Sequence, residues 1–397
     1  MASGEILVVA GEASGDLLAA DLLRALRARR PELRAFGMGG RHLQEAGLER
    51  LFDASELSVV GITEVLPRLP RIWRVFHALL DAARERRPQA ALLVDVPDFN
   101  LRLARRLHAA GIPVAFYVSP TVWAWRRGRV KAIARDVDRL LCILPFEEAF
   151  YRPYRVRAVY VGNPVAARLP APAEPAVFRR ALGLDAERPT LAVLPGSRAS
   201  ELRRCLPPLV ESAALLAGEH PGLQIAVPLA PGVDRAAVDT AFRARGLQAV
   251  LVPGRAAEVA GAADVALVTS GTAALEAGLM LRPLVVVYRV SWLSWLLARA
   301  MVRVSFVSLL NLLAGHRVVT ELLQGAFTPR NVAAEAARVW GEGPERWAMV
   351  EELRRVRDLL GRPDASARAA EEVLGLIDER SAAPDAARVL RGAPSAR

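Results

Sequence analysis

Short apolar runs alternate with longer amphipathic stretches from one end of the chain to the other. "ILVVAG" near the start precedes a helical pattern over residues 16 to 30, and "AALLVDV" precedes one over about 98 to 110. "PVAFYVS", "RLLCILP", "TLAVLPGS", "QIAVPLA", "AVLVPG", "DVALVTSG" and "PLVVVYRV" follow, each leading into a helical or loop stretch. Apolar runs without polar alternation suit strands buried on both faces, as in parallel α/β sheets. At "RLPAPAEPA", residues 168 to 176, three prolines mark a linker, and a second series of the same kind begins at Thr190. A chain of 397 residues exceeds what one core usually serves. The pattern therefore predicts two Rossmann-like parallel-sheet domains, 1–167 and 168–380, with ligands in a cleft at the C-terminal ends of strands. The last helices of the second domain are open to packing back on the first or to exchange in a dimer. The tail, 381–397, is expected to be poorly ordered.

Composition narrows the chemistry. With 53% hydrophobic and 24% charged residues the chain is an ordered globular protein. Cys142 and Cys205 are the only cysteines, which offers no disulfide framework and points to a reducing compartment. The apolar run at the N-terminus is short and lacks a basic flank, so it predicts a cytoplasmic first strand. The formal net charge is +11, and of the 53 basic residues all but Lys131 are arginine. A basic surface favours anionic partners such as phosphates, acidic lipid headgroups or nucleic acid. No GxxxxGK[ST] occurs, which excludes P-loop phosphoryl transfer. Five scattered histidines and two cysteines make a poor tetrahedral zinc set. No metal and no cofactor is expected.

Several strand-to-helix junctions carry candidate chemistry. "GEASGD" places Gly11, Ser14, Gly15 and Asp16 in a turn whose free N–H groups suit an anion or a sugar, or simply a capped turn. "LPGSR" repeats the device with Gly196, Ser197 and Arg198, whose planar fork suits a phosphate or open solvent. In "DVALVTSGTAALEAG" a buried strand ends in Thr269, Ser270, Gly271 and Thr272, a fit for a diphosphate. Glu276 lies one turn beyond Thr272 on the same face, within reach of a ribose diol. The helix around it is nearly all apolar, so Glu276 is expected to have a partner.

"VDVPDFN" ends a strand with Asp95 and Asp98 around Pro97. Asp98 falls where a ligand would lie and suits a general base, or else caps the following helix. Spacing alone does not separate it from Asp95. "YVSPTVWAWRRGRVK" interleaves Trp123 and Trp125 with Arg126, Arg127, Arg129 and Lys131, a pattern that serves nucleic acid, a sugar face or a lipid phosphate. Two stretches join apolar and basic residues. One holds Val65, Leu66, Leu69, Ile72 and Trp73, and the other holds Trp292 and Trp295. Charges interrupt both, so interfacial helices fit better than membrane spans, and a buried contact helix is the plain alternative.

Taken in order, "GEASGD", "VGITEVL", "VDVPDFN", "YVSPTVWAWR", "LPFE", "LPGSR", "SGTAALE" and "SLLNLLAG" resemble the lipid-A-disaccharide synthase family of GT-B glycosyltransferases. The likeness runs over nearly the whole chain before the tail. It implies an inverting, metal-independent transfer from UDP-2,3-diacylglucosamine to the 6-hydroxyl of 2,3-diacylglucosamine 1-phosphate (lipid X), giving a β-1,6 disaccharide 1-phosphate and UDP. The expected setting is the cytoplasmic face of the inner membrane, peripheral on an anionic surface. The resemblance makes Asp98 the base and assigns UDP to Arg198, Ser270, Gly271, Thr272 and Glu276. Ser14, Gly15, Asp16, Asn100 and Trp123 become acceptor or sugar candidates. The resemblance implies a homodimer with exchanged C-terminal segments, in which Asn311 completes the partner's nucleotide site, and no nucleic-acid role. Asn163 departs from the pattern, standing where many members carry histidine. The competing readings are another UDP-sugar enzyme of the same fold, such as a soluble glycosyltransferase or 2-epimerase, and a non-catalytic lipid-binding relative.

Overall fold

The computed structural model describes residues 4–56, 62–301, 304–361 and 364–391. They fall into two compact units, Met1–Ala167 with Arg362–Arg397, and Arg168–Gly361.

The first unit is built on seven parallel strands: β1 (Glu5–Ala10), β2 (Arg34–Gly39), β3 (Leu48–Asp53), β4 (Ala90–Val94), β5 (Val114–Tyr117), β6 (Arg139–Cys142) and β7 (Ala158–Tyr160). Their order is β3-β2-β1-β4-β5-β6-β7. The chain winds outward one way from β1 and the other way from β4, so the order reverses between these two neighbours. Ala10 and Val94 are partners at the C-terminal end of that pair. Ligands of doubly wound sheets bind at such a switch point. Alternation along the strands splits the core into two layers. Ile6, Val8, Leu92 and Val94 face the Ala13–Arg29 helix, whereas Leu7, Val9, Ala91 and Leu93 face the Ile62–Arg86 and Pro97–Ala109 helices.

The second unit repeats the plan with β8 (Thr190–Leu194), β9 (Gln224–Leu229), β10 (Ala249–Pro253), β11 (Val265–Thr269), β12 (Leu284–Tyr288) and β13 (Thr320–Leu323). All are parallel, in the order β10-β9-β8-β11-β12-β13. Its switch point lies between β8 and β11, where Leu194 pairs with Val268.

The C-terminal segment belongs to the first unit. The second unit closes at Gly361, short of 380. The Ala365–Arg391 helix carries a stripe of Ala369, Ala370, Val373, Leu376 and Ile377 that completes the core of the first unit. Ion pairs clip it there: Arg29–Glu371 at 2.8 Å, Arg30–Asp378 at 2.8 Å, Arg139–Glu379 at 2.6 Å and Arg380–Asp138 at 2.8 Å. Backbone helix continues past Ser381 to Arg391 with Pro384 inside it, and residues 392–397 of the tail lie outside the described residues. Among the described residues no helix is long and apolar enough to cross a membrane.

Candidate active site

At the first switch point the strand ends bring Glu12 and Asp95 near each other. β1 runs into Gly11 and Glu12, and the Ala13–Arg29 helix starts at once. β4 runs into Asp95 and Val96, and the Pro97–Ala109 helix follows. Asp95 and Val96 both adopt left-handed backbone, at φ 54° and 43°. For a β-branched residue this is strained, and two such residues in succession persist only where surroundings enforce them. Asn100 supplies the enforcement. Fully buried, it donates its side-chain amide to the Val94 carbonyl at 3.1 Å and to the Asp95 carbonyl at 2.8 Å. Asn100 therefore holds the turn with both amide N–H groups, while its Oδ1 is buried without a hydrogen-bond partner among the described residues.

The turn sets Asp95 half-buried against Gly15, where an added methyl would come within 3.8 Å of the Asp95 side chain. Burial pushes the Asp95 carboxyl above its ordinary range, and the nearby negative charge of Glu12 adds to the shift. The Val96 N–H opposes it. Asp98 sits in a different environment. It is the second residue of its helix, makes no capping bond, and its side chain is 65% exposed. Its Oδ1 receives Arg126 at 3.3 Å and also Arg129. Asp98 is therefore neither a cap nor a desolvated base.

Two further sugar candidates are occupied elsewhere. The Asp16 carboxylate accepts the backbone N–H groups of Gly40 at 2.6 Å, His42 at 2.9 Å and Leu43 at 3.2 Å. These are orphan donors at the start of the Arg41–Glu45 helix, so Asp16 is a structural cap supplied from a distant helix. Trp123 is buried, packs edge-on to Phe146 at 5.0 Å, and donates its indole N–H to Glu147 at 3.1 Å. A buried ring cannot stack on a sugar. Ser14 is exposed at the turn and remains free to meet a ligand. Asn163, where the pattern departs, is buried and caps its own helix by accepting from Val165 and Ala166 at 3.0 and 3.1 Å.

The second switch point is built for a different task. Gly196, at φ 105°, turns the chain after β8, and a methyl there would come within 2.7 Å of Glu201 Oε2. Glu201 accepts from Ser197 N–H at 3.1 Å and Arg198 N–H at 3.3 Å and pairs with the Arg198 side chain at 3.3 Å. Arg198 is thus aimed by the helix start while its guanidinium stays exposed. After β11, Gly271 at φ 151° and ψ −162° opens the Thr272–Leu279 helix with no side-chain cap. Its leading N–H groups carry the positive end of the helix dipole. Glu276 lies one turn on, half-buried. Contrary to expectation, it has no side-chain partner among the described residues, and burial alone pushes its carboxyl up.

Asn311 is corrected most plainly. It is fully buried, and its amide donates to Val319 at 3.0 Å and Glu321 at 2.8 Å while accepting from Val318 at 2.8 Å and Val319 at 2.9 Å. That is every hydrogen bond a carboxamide makes, so none is left for a nucleotide.

The apolar candidates divide. Trp73 and Trp292 are 67% and 77% exposed, and Leu69 and Leu296 are also exposed. Ile72 packs on the core of the first unit, and Trp295 is half-buried. The side chains of Val65 and Leu66, and residues 57–61, lie outside the described residues.

The sequence reading passed over Glu12 and Glu147. Glu12 lies two residues past the end of β1, whose last residue Ala10 pairs with Val94 at the end of β4, so the strand pairing brings it near Asp95. Glu147 is buried with its carboxyl pushed up to about 7 by desolvation, despite bonds from Leu144 N–H and Trp123. A charged residue inside a short helix carries no local sign of burial.

Two doubly wound parallel sheets, with an acid-bearing switch point in one and an uncapped helix start in the other, define the GT-B fold. Solved structures share this fold. The UDP-GlcNAc 2-epimerase from Neisseria meningitidis bound to UDP-GlcNAc superposes with a TM-score of 0.61 at 13% identity, over 94% of this chain and 100% of its own. The glycotransferase of kitacinnamycin gives 0.63 at 17%, over 95% and 100%. The chain belongs to the lipid-A-disaccharide synthase family, whose model, described as lipid-A-disaccharide synthetase, matches residues 6–370. It is 59% identical to the lipid-A-disaccharide synthase of Myxococcus xanthus (strain DK1622), over 94% of this chain and 97% of that one. With the enzyme of that name from Anaeromyxobacter dehalogenans (strain 2CP-C) the identity is 57% over the same shares.

Proposed function

We propose that the chain transfers 2,3-diacylglucosamine from UDP-2,3-diacylglucosamine to the 6-hydroxyl of 2,3-diacylglucosamine 1-phosphate, with inversion and without a metal. The observation that carries this reading is the half-buried, unpartnered Glu276 carboxylate one turn above an uncapped helix start. A buried carboxylate without a partner is costly unless a ligand supplies one. A ribose diol gives Glu276 two donors, and a diphosphate gives the Gly271–Thr272 N–H groups their acceptor.

The base in this reading moves from Asp98 to Asp95. A general base works best with a pKa near the working pH, and Asp95 is the strand-end acid that burial shifts in that direction. Asp95 takes the proton of the acceptor 6-hydroxyl as its oxygen attacks the anomeric carbon from the face opposite the leaving group. The bond from that carbon to the diphosphate oxygen breaks, and UDP leaves with the electron pair. Arg198 and the Thr272 helix start neutralise the charge that develops on the diphosphate, the part a divalent cation plays in other transferases. The exposed Leu69, Trp73, Trp292 and Leu296 suit acyl chains and a peripheral membrane site.

The test is UDP release from UDP-2,3-diacylglucosamine and lipid X in mixed micelles containing EDTA. The account predicts stoichiometric UDP and disaccharide, undiminished by the chelator. UDP binding without turnover by folded protein would overturn it, and release only after added metal would overturn its metal-independent form.

A further inference from the structure

The Arg126 and Arg129 guanidiniums converge on one oxygen of an exposed aspartate. Both reach Asp98 Oδ1, and Oδ2 has no hydrogen-bond partner among the described residues. An exposed ion pair of this kind contributes little to stability. The scaffolding behind it is nonetheless substantial. Arg126 stands in left-handed backbone at φ 53° and lies over the Trp125 ring at 4.4 Å. Trp125 is tied back to Thr121 Oγ1 at 3.0 Å, and the loop's inner end is pinned by buried Trp123 on Glu147 at 3.1 Å. Arg127 lies over Phe150 at 5.9 Å, and Lys131 is exposed just beyond. The cluster thus carries more positive charge than Asp98 balances.

We propose that Arg126 and Arg129 form the site that reads the phosphate ester of the acceptor sugar, with Asp98 holding the two forks in position until that phosphate arrives. The proposal deepens the reaction given above and rests on it for the identity of the acceptor. A phosphate monoester carries close to two negative charges and three acceptor oxygens, so it engages both guanidiniums more fully than one carboxylate oxygen does. Trp123 and Glu147 act behind the site as positioning residues, keeping the loop rigid. The shared chemistry is a phosphate ester, which an acceptor sugar or a membrane headgroup can supply.

The experiment has three arms on the full chain. The first compares kcat/KM for lipid X and for its dephosphorylated counterpart in the parent, Arg126→Ala and Arg129→Ala. The parent's preference for the phosphorylated acceptor should fall about 10- to 100-fold in each variant, the range of a charge-assisted hydrogen bond. The second follows binding of glucosamine 1-phosphate, without donor, through Trp125 emission. Its Kd should rise in both variants. The third measures binding to phosphatidylglycerol vesicles, which should be unchanged. Weakened vesicle binding with unaltered glucosamine 1-phosphate affinity would assign the arginines to headgroups and overturn the proposal. Normal turnover with an unchanged acceptor preference would overturn it too while sparing the reaction. Arginine-dependent sugar phosphate binding without disaccharide synthesis would do the reverse.

Discussion

The two switch points share a topology and reach opposite solutions to the same turn. After β4 the chain forces non-glycine residues into left-handed backbone and spends a buried asparagine to hold them. After β11 the same kind of turn falls to Gly271, in a region of backbone space essentially reserved for glycine. The first arrangement fixes a carboxylate where burial shifts its proton affinity. The second leaves backbone donors bare and brings one unpartnered acid beside them. Strain goes where a side chain must be aimed, and glycine goes where the backbone itself is the ligand.

Several substitutions would break or sharpen this contrast. The largest effect is expected for Asp95→Asn, which should lower kcat about 10²- to 10⁴-fold, as loss of a general base does, with UDP affinity intact by calorimetry. Asp98→Asn should act mainly on acceptor KM. On the other side, Glu276→Gln should weaken UDP binding about tenfold or more, with little change in acceptor KM. The same substitution should raise the Tm of unliganded protein at neutral pH. The Glu276 carboxyl is raised above 4.5 in the fold, so its favourable contribution is present at low pH and lost as pH rises through the folded value. Glutamine removes that loss, so the Tm difference should shrink in acid. A smaller effect is expected from Gly271→Ala. Nothing lies within 4 Å of the added methyl, so the cost is conformational, about 1–3 kcal/mol, visible as a lower Tm and weaker UDP binding. The smallest change in stability belongs to Val96→Gly. Relief of left-handed strain outweighs the added chain entropy, for a net gain of about 1 kcal/mol in denaturant unfolding, while kcat falls because Asp95 is less firmly held.

Much of the architecture was legible in the chain because it rests on periodicity. Uninterrupted apolar runs gave the buried strands, and the prolines after Arg168 marked where the second series begins. Glycine and hydroxyl residues at strand ends pointed to both switch points. What stayed hidden was which polar residues the fold consumes for itself. Asp16, Asn100 and Asn311 look like ligands by type and place, yet each satisfies buried backbone groups contributed by residues far along the chain or around a strained turn. Trp123 looked like a sugar platform and instead lies buried on Glu147. Local pattern shows that a polar residue stands at a strand end. Only the surrounding contacts show whether its hydrogen bonds are already taken. Asp95 and Asp98 make the same point, since three positions apart they differ completely in exposure and in charged neighbours.

The central claim is that the β4 end presents Asp95, not Asp98, as the proton acceptor. The most direct measurement is the pH dependence of kcat/KM for the parent, Asp95→Asn and Asp98→Asn. A base must be ionised to act, so the rate should fall as pH drops through the carboxyl's folded pKa. For Asp95 that limb should lie above the ordinary aspartate range. The account predicts that Asp98→Asn keeps this limb and that Asp95→Asn abolishes it, leaving a low, flat residual rate. A limb that survives in Asp95→Asn and vanishes in Asp98→Asn would contradict it.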